Sequence, residues 1–228
     1  MTASPDAVML FAAGFGTRMG ALTKDRPKPL IEVGGRPLID HALDLARGIR
    51  PARIVANLHY LPDQLAAHLR PQGVALSREE PEILDTGGGL RAALPLLASD
   101  SVFTLNTDAI WAGPNPLELL RRNWDAERMD ALLMCVPVAQ AVGHAGSGDF
   151  TADAEGRIRR GPGLIYGGAQ IIRTGELKEF SEKAFSLNLL WDRMQRRDRL
   201  FALTYPGRWC DVGHPGGVTL AEGVLADV

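Results

Sequence analysis

Cysteine is nearly missing from this chain. There are two in 228 residues, Cys135 and Cys210, too few for a disulfide framework. Neither stands in a metal-ligand spacing, and the five histidines form no HxxxH or HExxH pair. A structural zinc site is therefore not expected. Net charge is nearly missing as well: 25 basic against 27 acidic residues leave −2. Without a broad positive field the chain cannot track a nucleic-acid backbone, so any anion site must be local. Long apolar runs are absent. The opening "MTASPDAVMLFAAGFG" has no basic n-region, and its apolar stretch is too short for a signal or a span. A cytoplasmic protein with no nucleic-acid or membrane partner is expected. Linker-like low-complexity stretches and internal repeats are also lacking.

What remains is ordinary globular material, 46% hydrophobic and 23% charged, enough to bury a core. Its length suits one domain, 1–228. "AVMLFAA" (7–13) is a short apolar run bounded by glycine, the pattern of a strand buried on both faces. "PLIDHALDLARG" (37–48) spaces its apolar residues helically, with proline at its start and Gly48 at its end. The alternation continues: strand 53–59, helix 61–69, strand 73–80, helix 86–99, strand 101–108, helix 116–129, strand 130–139. Such alternation implies right-handed crossovers and a mainly parallel sheet covered on both sides. Beyond residue 139 the rhythm changes. A hairpin around Glu155-Gly156 (148–161), a strand at 164–173, a helix at 185–197, a strand–turn–strand at 200–213 and a closing helix from 216 to 228 are predicted. The fold class is α/β: a Rossmann-like three-layer sandwich with a mainly parallel mixed sheet, 1–139 forming the parallel core.

The chemistry gathers at "AAGFGTRMG" (12–20). The dinucleotide fingerprint G-x-G-x-x-G fits poorly: Gly14 and Gly16 match, but Met19 holds the third glycine position and Gly20 comes one residue late. Glu32 has no clear place as a ribose ligand. A nicotinamide-dependent dehydrogenase is disfavoured. "GFGTRM…RPKPL" reads better as a phosphate loop. Glycines let backbone N–H groups approach phosphate oxygens. Arg18 can fork onto a phosphate, and Lys28 is stiffened by a proline on each side.

"LFAAGFGTRMGALTKDRPKPLIEVGGRPLIDHAL" resembles the signature of the sugar-1-phosphate nucleotidyltransferases. "LDTGGGL", "GSGDF", "FSLNLLWDRM" and "GRWCDVG" follow in that family's order, so the resemblance spans nearly the whole chain. The wider chain is most similar to the bacterial branch that joins UTP to N-acetylmuramate 1-phosphate. The resemblance implies an in-line displacement. The phosphate of a sugar 1-phosphate attacks the α-phosphorus of a nucleoside triphosphate, pyrophosphate leaves, and Mg²⁺ assists. It implies that Arg18 and Lys28 act in catalysis. Ala12, Ala13, Gly14, Gly16, Thr17 and Arg18 would hold the nucleotide, with Thr86, Gly87 and Gly88 against the base. Asp108 and Asp211 would bind metal, placing the second metal ligand and the sugar site in 140–228. Lys28, Asn106, Gly148, Asp149 and Asn188 would hold the sugar phosphate.

Several residues keep a second reading. Asp108 ends a strand, where open parallel sheets gather ligands, but it also suits a turn or helix cap, and Thr107 stands where the family often has glycine. Asp211 could be a turn aspartate, and His214 is read as structural. Three glycines opening a helix are costly, about 1 kcal/mol each against alanine in an interior, and a base lying flat on them would offset that. Thr86 could instead be an N-cap, Asp149 a strand-end residue and Asn188 a helix cap. Trp191 and Trp209 are read as core. Rival functions are a mannose-1-phosphate guanylyltransferase and a catalytically inactive regulatory relative. The chain is expected to be a monomer or homodimer.

Overall fold

The computed structural model describes residues 5–226. Its centre is a nine-stranded sheet. β1 (Ala7–Phe11) is followed by a two-residue hairpin, β2 (Glu32–Val33) and β3 (Arg36–Pro37), then α1 (Leu38–Gly48), β4 (Arg53–Leu58), α2 (Pro62–Leu69) and β5 (Ala75–Arg78). α3 (Asp85–Leu97) leads into β6 (Ser101–Asn106), β7 (Ala109–Ala112), α4 (Pro116–Asn123) and β8 (Ala131–Pro137). The second half contributes β9 (Ala141–Val142), β10 (Phe150–Ala152), β11 (Ile158–Arg160), β12 (Leu164–Arg173), α5 (Asn188–Arg196), β13 (Leu200–Thr204), β14 (Arg208–Asp211) and α6 (Pro215–Ala226). Asp227 and Val228, expected to end the last helix, lie outside the described residues.

β5, β4, β1 and β6 run parallel in that spatial order. β12 pairs antiparallel to both β6 and β8, and β13 returns parallel to β8. One reversed strand thus joins two parallel blocks. β1 shows why it lies at the centre. Val8 and Leu10 pack into one cluster with Ile39, Leu43, Leu65 and Leu117 from α1, α2 and α4. Ala7 and Met9 pack into another with Leu90, Leu97, Leu190 and Met194 from α3 and α5. A strand buried on both faces and covered by helices on both is the predicted three-layer sandwich.

The topology fixes where a ligand can lie. From β1 the chain steps outward to β4 and β5, then returns to β6 on the other side of β1. The carboxyl ends of β1 and β6 are neighbours, with Phe11 paired to Asn106. Chains leave that point in opposite directions and open a crevice there.

One expectation is corrected. The helix predicted over 116–129 stops at Asn123, where Trp124 turns extended. The strand–turn–strand expected over 200–213 is present, and its two strands part: β13 joins the main sheet while β14 pairs with β7 and β9 in a separate three-stranded sheet. β7 itself, buried along its length, was hidden in sequence by its closeness to β6.

Candidate active site

Two adjoining cavities open at the crevice. The first, about 230 Å³, is walled by Ala12, Ala13 and Gly14 after β1, by Asn57 and Glu79 at the ends of β4 and β5, and by Asp85, Thr86 and Lys28. The second, about 320 Å³, shares Phe11, Asp85, Thr86 and Asn106 with it. Asp149, Tyr166, Asn188 and Trp191 line its far side. One continuous groove therefore has a compartment on the parallel block and a compartment on the second half of the chain.

The loop after β1 winds into a 3₁₀ turn at Thr17–Thr23. Gly16 adopts φ +65°, and a Cβ there would lie 2.9 Å from both the Lys28 Cβ and Thr23. Glycine is thus needed twice over, for the left-handed backbone and for the close approach of the lysine segment. Gly16, Thr17 and Arg18 are not walls of the first cavity; Arg18 is exposed beyond it. Lys28 is 9% exposed, and its ammonium donates to Asp108 Oδ2 at 2.7 Å. Thr107, 3% exposed, donates its hydroxyl to the Phe11 carbonyl at 2.8 Å. It ties the end of β6 to the end of β1, which accounts for a threonine before Asp108.

Asp211 reaches Asp108 through the small sheet. β7 begins one residue after Asp108, and β14 lies antiparallel on it with Asp211 opposite Ala109. The Val212 N–H donates to the Asp108 carbonyl at 2.9 Å, closing the ladder. Burial pushes the Asp211 carboxyl above its ordinary value and the Asp108 carboxylate pushes the same way, while Lys28, Arg18 and His144 pull it back. Two aspartates 103 positions apart in sequence, an arginine and a lysine thus share one electrostatic neighbourhood.

The glycine run opening α3 has a different cause from the one expected. A Cβ on Gly87 would meet the Phe185 ring at 2.4 Å, and one on Gly88 the Lys183 carbonyl at 2.6 Å. Both N–H groups donate to the Phe185 carbonyl, at 2.8 and 3.1 Å. The Cβ positions of Gly87 and Gly88 therefore face the 183–185 segment, and neither residue lines the cavity. Thr86 is not the N-cap either, since that position falls on Leu84. The Thr86 hydroxyl accepts from the Leu187 N–H at 3.0 Å and donates to Asp85 Oδ1 at 3.2 Å. Gly148, expected beside a sugar, is likewise structural: at φ +106° its Cβ would lie 2.5 Å from the Gly163 nitrogen. Asp149 stays in the wall, with Oδ2 accepting from the Tyr166 N–H at 2.9 Å. Asn188 does not cap its own helix, whose N-cap is Leu187; its Oδ1 accepts from Arg160 at 3.0 Å. Trp209 is core, whereas Trp191, 7% exposed, is both core and cavity wall.

Sequence reading missed Asn57 and Glu79, which are 4% and 1% exposed. Asn57 Oδ1 accepts from the Ala12 N–H at 2.7 Å, and its Nδ2 donates to Glu79 Oε1 at 2.7 Å. Glu79 Oε2 accepts from the Leu84 N–H at 2.8 Å. The buried carboxylate thus meets amide donors on each oxygen and joins three segments around the first cavity. The strand-end rule that flagged Asp108 applies equally to these two residues and was their only signal in the sequence.

Residues 8–157 match the family described as the MobA-like NTP transferase domain, and the chain belongs to that family. Its relatives narrow the comparison. It is 37% identical to the N-acetylmuramate alpha-1-phosphate uridylyltransferase of Caulobacter vibrioides, with 100% of each chain covered. It is 30% identical to the enzyme of the same name from Neisseria meningitidis serogroup B, covering 90% of this chain and 92% of that one. Among solved structures, a putative glucose-1-phosphate thymidylyltransferase from Bacillus anthracis superposes with a TM-score of 0.78 at 18% identity, covering 97% and 95% of the two chains, which shows a shared fold.

Proposed function

We propose that this protein transfers a uridylyl group from UTP to N-acetylmuramate 1-phosphate, releasing pyrophosphate. The observation that carries the reading is the gathering of Arg18, Lys28 and Asp108 around Asp211, with Lys28 and Asp108 paired in the wall of the groove at the β1–β6 switch point. The full-length likeness to two uridylyltransferases of that name supports the choice of substrates.

The nucleoside triphosphate takes the first cavity, its phosphates toward the Gly14–Arg18 loop. Backbone N–H groups after β1 and the Arg18 guanidinium face the β- and γ-phosphates and stabilise the leaving pyrophosphate. Lys28 faces the α-phosphate, where negative charge builds as the sugar phosphate oxygen attacks from the second cavity. Asn106, shared by both cavities, spans the line between the two reacting groups. Because no bond to the protein forms, the rate enhancement comes from alignment and fixed charge.

The acidic pair fits a divalent cation. Asp108 and Asp211 offer hard carboxylate oxygens, and burial first and the Asp108 charge second raise the Asp211 carboxyl, a cost that a bound Mg²⁺ would offset. Among the described residues no group of three or more His, Cys, Asp or Glu stands together as a metal cage, so Asp108 and Asp211 are the protein residues that would hold the ion. Bound there, a divalent cation would supply positive charge against the phosphates.

Pyrophosphate release from a matrix of triphosphates (UTP, GTP, dTTP, CTP) and sugar 1-phosphates tests the reading. UTP with N-acetylmuramate 1-phosphate is expected to give the highest kcat/KM, lost on chelation and restored by Mg²⁺. Highest turnover of GTP with mannose 1-phosphate would overturn the substrate assignment. No pyrophosphate from any pair would favour the inactive regulatory relative.

A further inference from the structure

Arg160 stands at the far end of the second cavity and is the one lysine or arginine in its wall among the described residues. It is held still from several sides. Its Nε and Nη2 donate to Asp192 Oδ1 at 3.1 and 2.9 Å, and Nη2 also donates to Asn188 Oδ1 at 3.0 Å. The guanidinium lies 4.9 Å from the Phe150 ring centre and 5.7 Å from that of Trp191. Its backbone N–H donates to Gln195 Oε1 at 2.9 Å. An arginine whose side chain is 39% exposed would normally sample many rotamers. Here that entropy is already lost before any ligand arrives. The Nη1 edge, with two N–H donors, has no described partner.

The other charged residues of the wall are acidic. Asp85 and Asp149 line the same cavity, and Asp192 backs the arginine. A neutral sugar can use those carboxylates as hydroxyl acceptors. A sugar that carries its own carboxylate is repelled by them and needs a cation, and the geometry supplies one. We propose that Arg160 is a specificity-determining residue: its free Nη1 edge binds a carboxylate on the sugar, so that the second cavity selects acidic sugar 1-phosphates over neutral ones. Asp192 and Asn188 position it. This inference rests on the reading of the two cavities as triphosphate and sugar-phosphate compartments.

The test compares N-acetylmuramate 1-phosphate with N-acetylglucosamine 1-phosphate, which differ only in the lactyl ether and its carboxylate, at saturating triphosphate. Arg160→Met places an unbranched apolar side chain beside Phe150 and Trp191 and removes the donors. The ratio of kcat/KM for acidic over neutral sugar is expected to fall by about 10- to 100-fold, the scale of a hydrogen bond to a charged group, mainly through KM of the acidic sugar. Arg160→Lys keeps the charge without the fork and is expected to fall in between; should the methionine variant fail to fold, the lysine variant carries the test. A wild-type preference for the acidic sugar that survives both substitutions overturns the role of Arg160 and leaves the proposed reaction standing. A wild-type preference for the neutral sugar overturns both the inference and the sugar assignment.

Discussion

At the scale of single residues the site is organised by Lys28. It is buried to 9% exposure, and its ammonium is matched by Asp108 at 2.7 Å. A lysine so placed is pre-set in position and cannot be compensated by solvent. Lys28→Met keeps the buried stem and removes the charge. Turnover measured by pyrophosphate release is expected to fall about a hundredfold or more, as for loss of one preorganised transition-state donor. Thermal melting is expected to show a folded protein. Turnover within about threefold of wild type, a barrier change under 1 kcal/mol, would remove Lys28 from the chemistry. Residues of this kind were legible in the sequence because the loop that carries them is a motif: GxG, Arg18 and a proline-flanked lysine stand close together in the chain. Asn57 and Glu79 were not, because each is a single polar residue at the end of a different strand. Nothing local distinguishes them from surface residues until the sheet is assembled.

Elements are tied together around the first cavity by that same pair. The chain of hydrogen bonds from the Ala12 N–H through Asn57 and Glu79 to the Leu84 N–H joins the phosphate loop, β4, β5 and the segment entering α3. Its donors and acceptors alternate without slack. Glu79→Gln alone points an amide N–H at another donor, and Asn57→Asp alone sets two carboxylates against each other. The double variant, Asn57→Asp with Glu79→Gln, restores every bond. The carboxylate introduced on β4 accepts from the Ala12 N–H and from the new side-chain amide opposite it. The carbonyl oxygen of that amide accepts from the Leu84 N–H. Each single variant is expected to raise the triphosphate KM at least about tenfold and lower Tm. The double variant should recover most of both, with a coupling energy of about 1–3 kcal/mol. Additive effects in the double variant would show that the bonds do not act as one unit. The glycines of α3 teach the complementary lesson about legibility. Their presence announced a close approach, but whether a ligand or the chain itself approached could not be read from three letters. Phe185, almost a hundred residues away, supplies the answer.

The whole molecule was legible where its pattern is periodic and obscure where pairing is long-range. The parallel block emerged from strand–helix alternation almost element by element. The three-stranded sheet of β7, β14 and β9 did not, since two- to four-residue strands leave no periodic trace and here pair with partners far away in sequence, Asp211 with Ala109 and Trp209 with Ala141. Tyr205 links these parts: it is 1% exposed, packs edge-on against Trp111 at 4.8 Å and donates to the Pro114 carbonyl at 3.0 Å. Burial pushes its phenol from 10.0 up to about 12. The folded protein therefore keeps this proton to a higher pH than the unfolded chain does. The associated stability is full below pH 10 and is lost as pH rises from 10 toward 12. Urea midpoints across that range should fall more steeply for the wild type than for Tyr205→Phe, and equal slopes would refute the assignment.

The ladder between β7 and β14 has a consequence for how such a chain can diversify. Four rungs, Arg208 to Ala112 through Asp211 to Ala109, set the separation of the two acidic side chains, whatever is threaded between them. Loops within residues 113–207 can lengthen or shorten while the corner that carries the two aspartates stays the same, provided β8, β12 and β13 keep their places in the main sheet, β9 keeps its pairing with β14 and the rungs stay in step. A slip by a single rung would turn Asp211 to the opposite side of its strand. The loops between the two aspartates are therefore free to vary in length, and the aspartates themselves are anchored by a clasp of two four-residue strands.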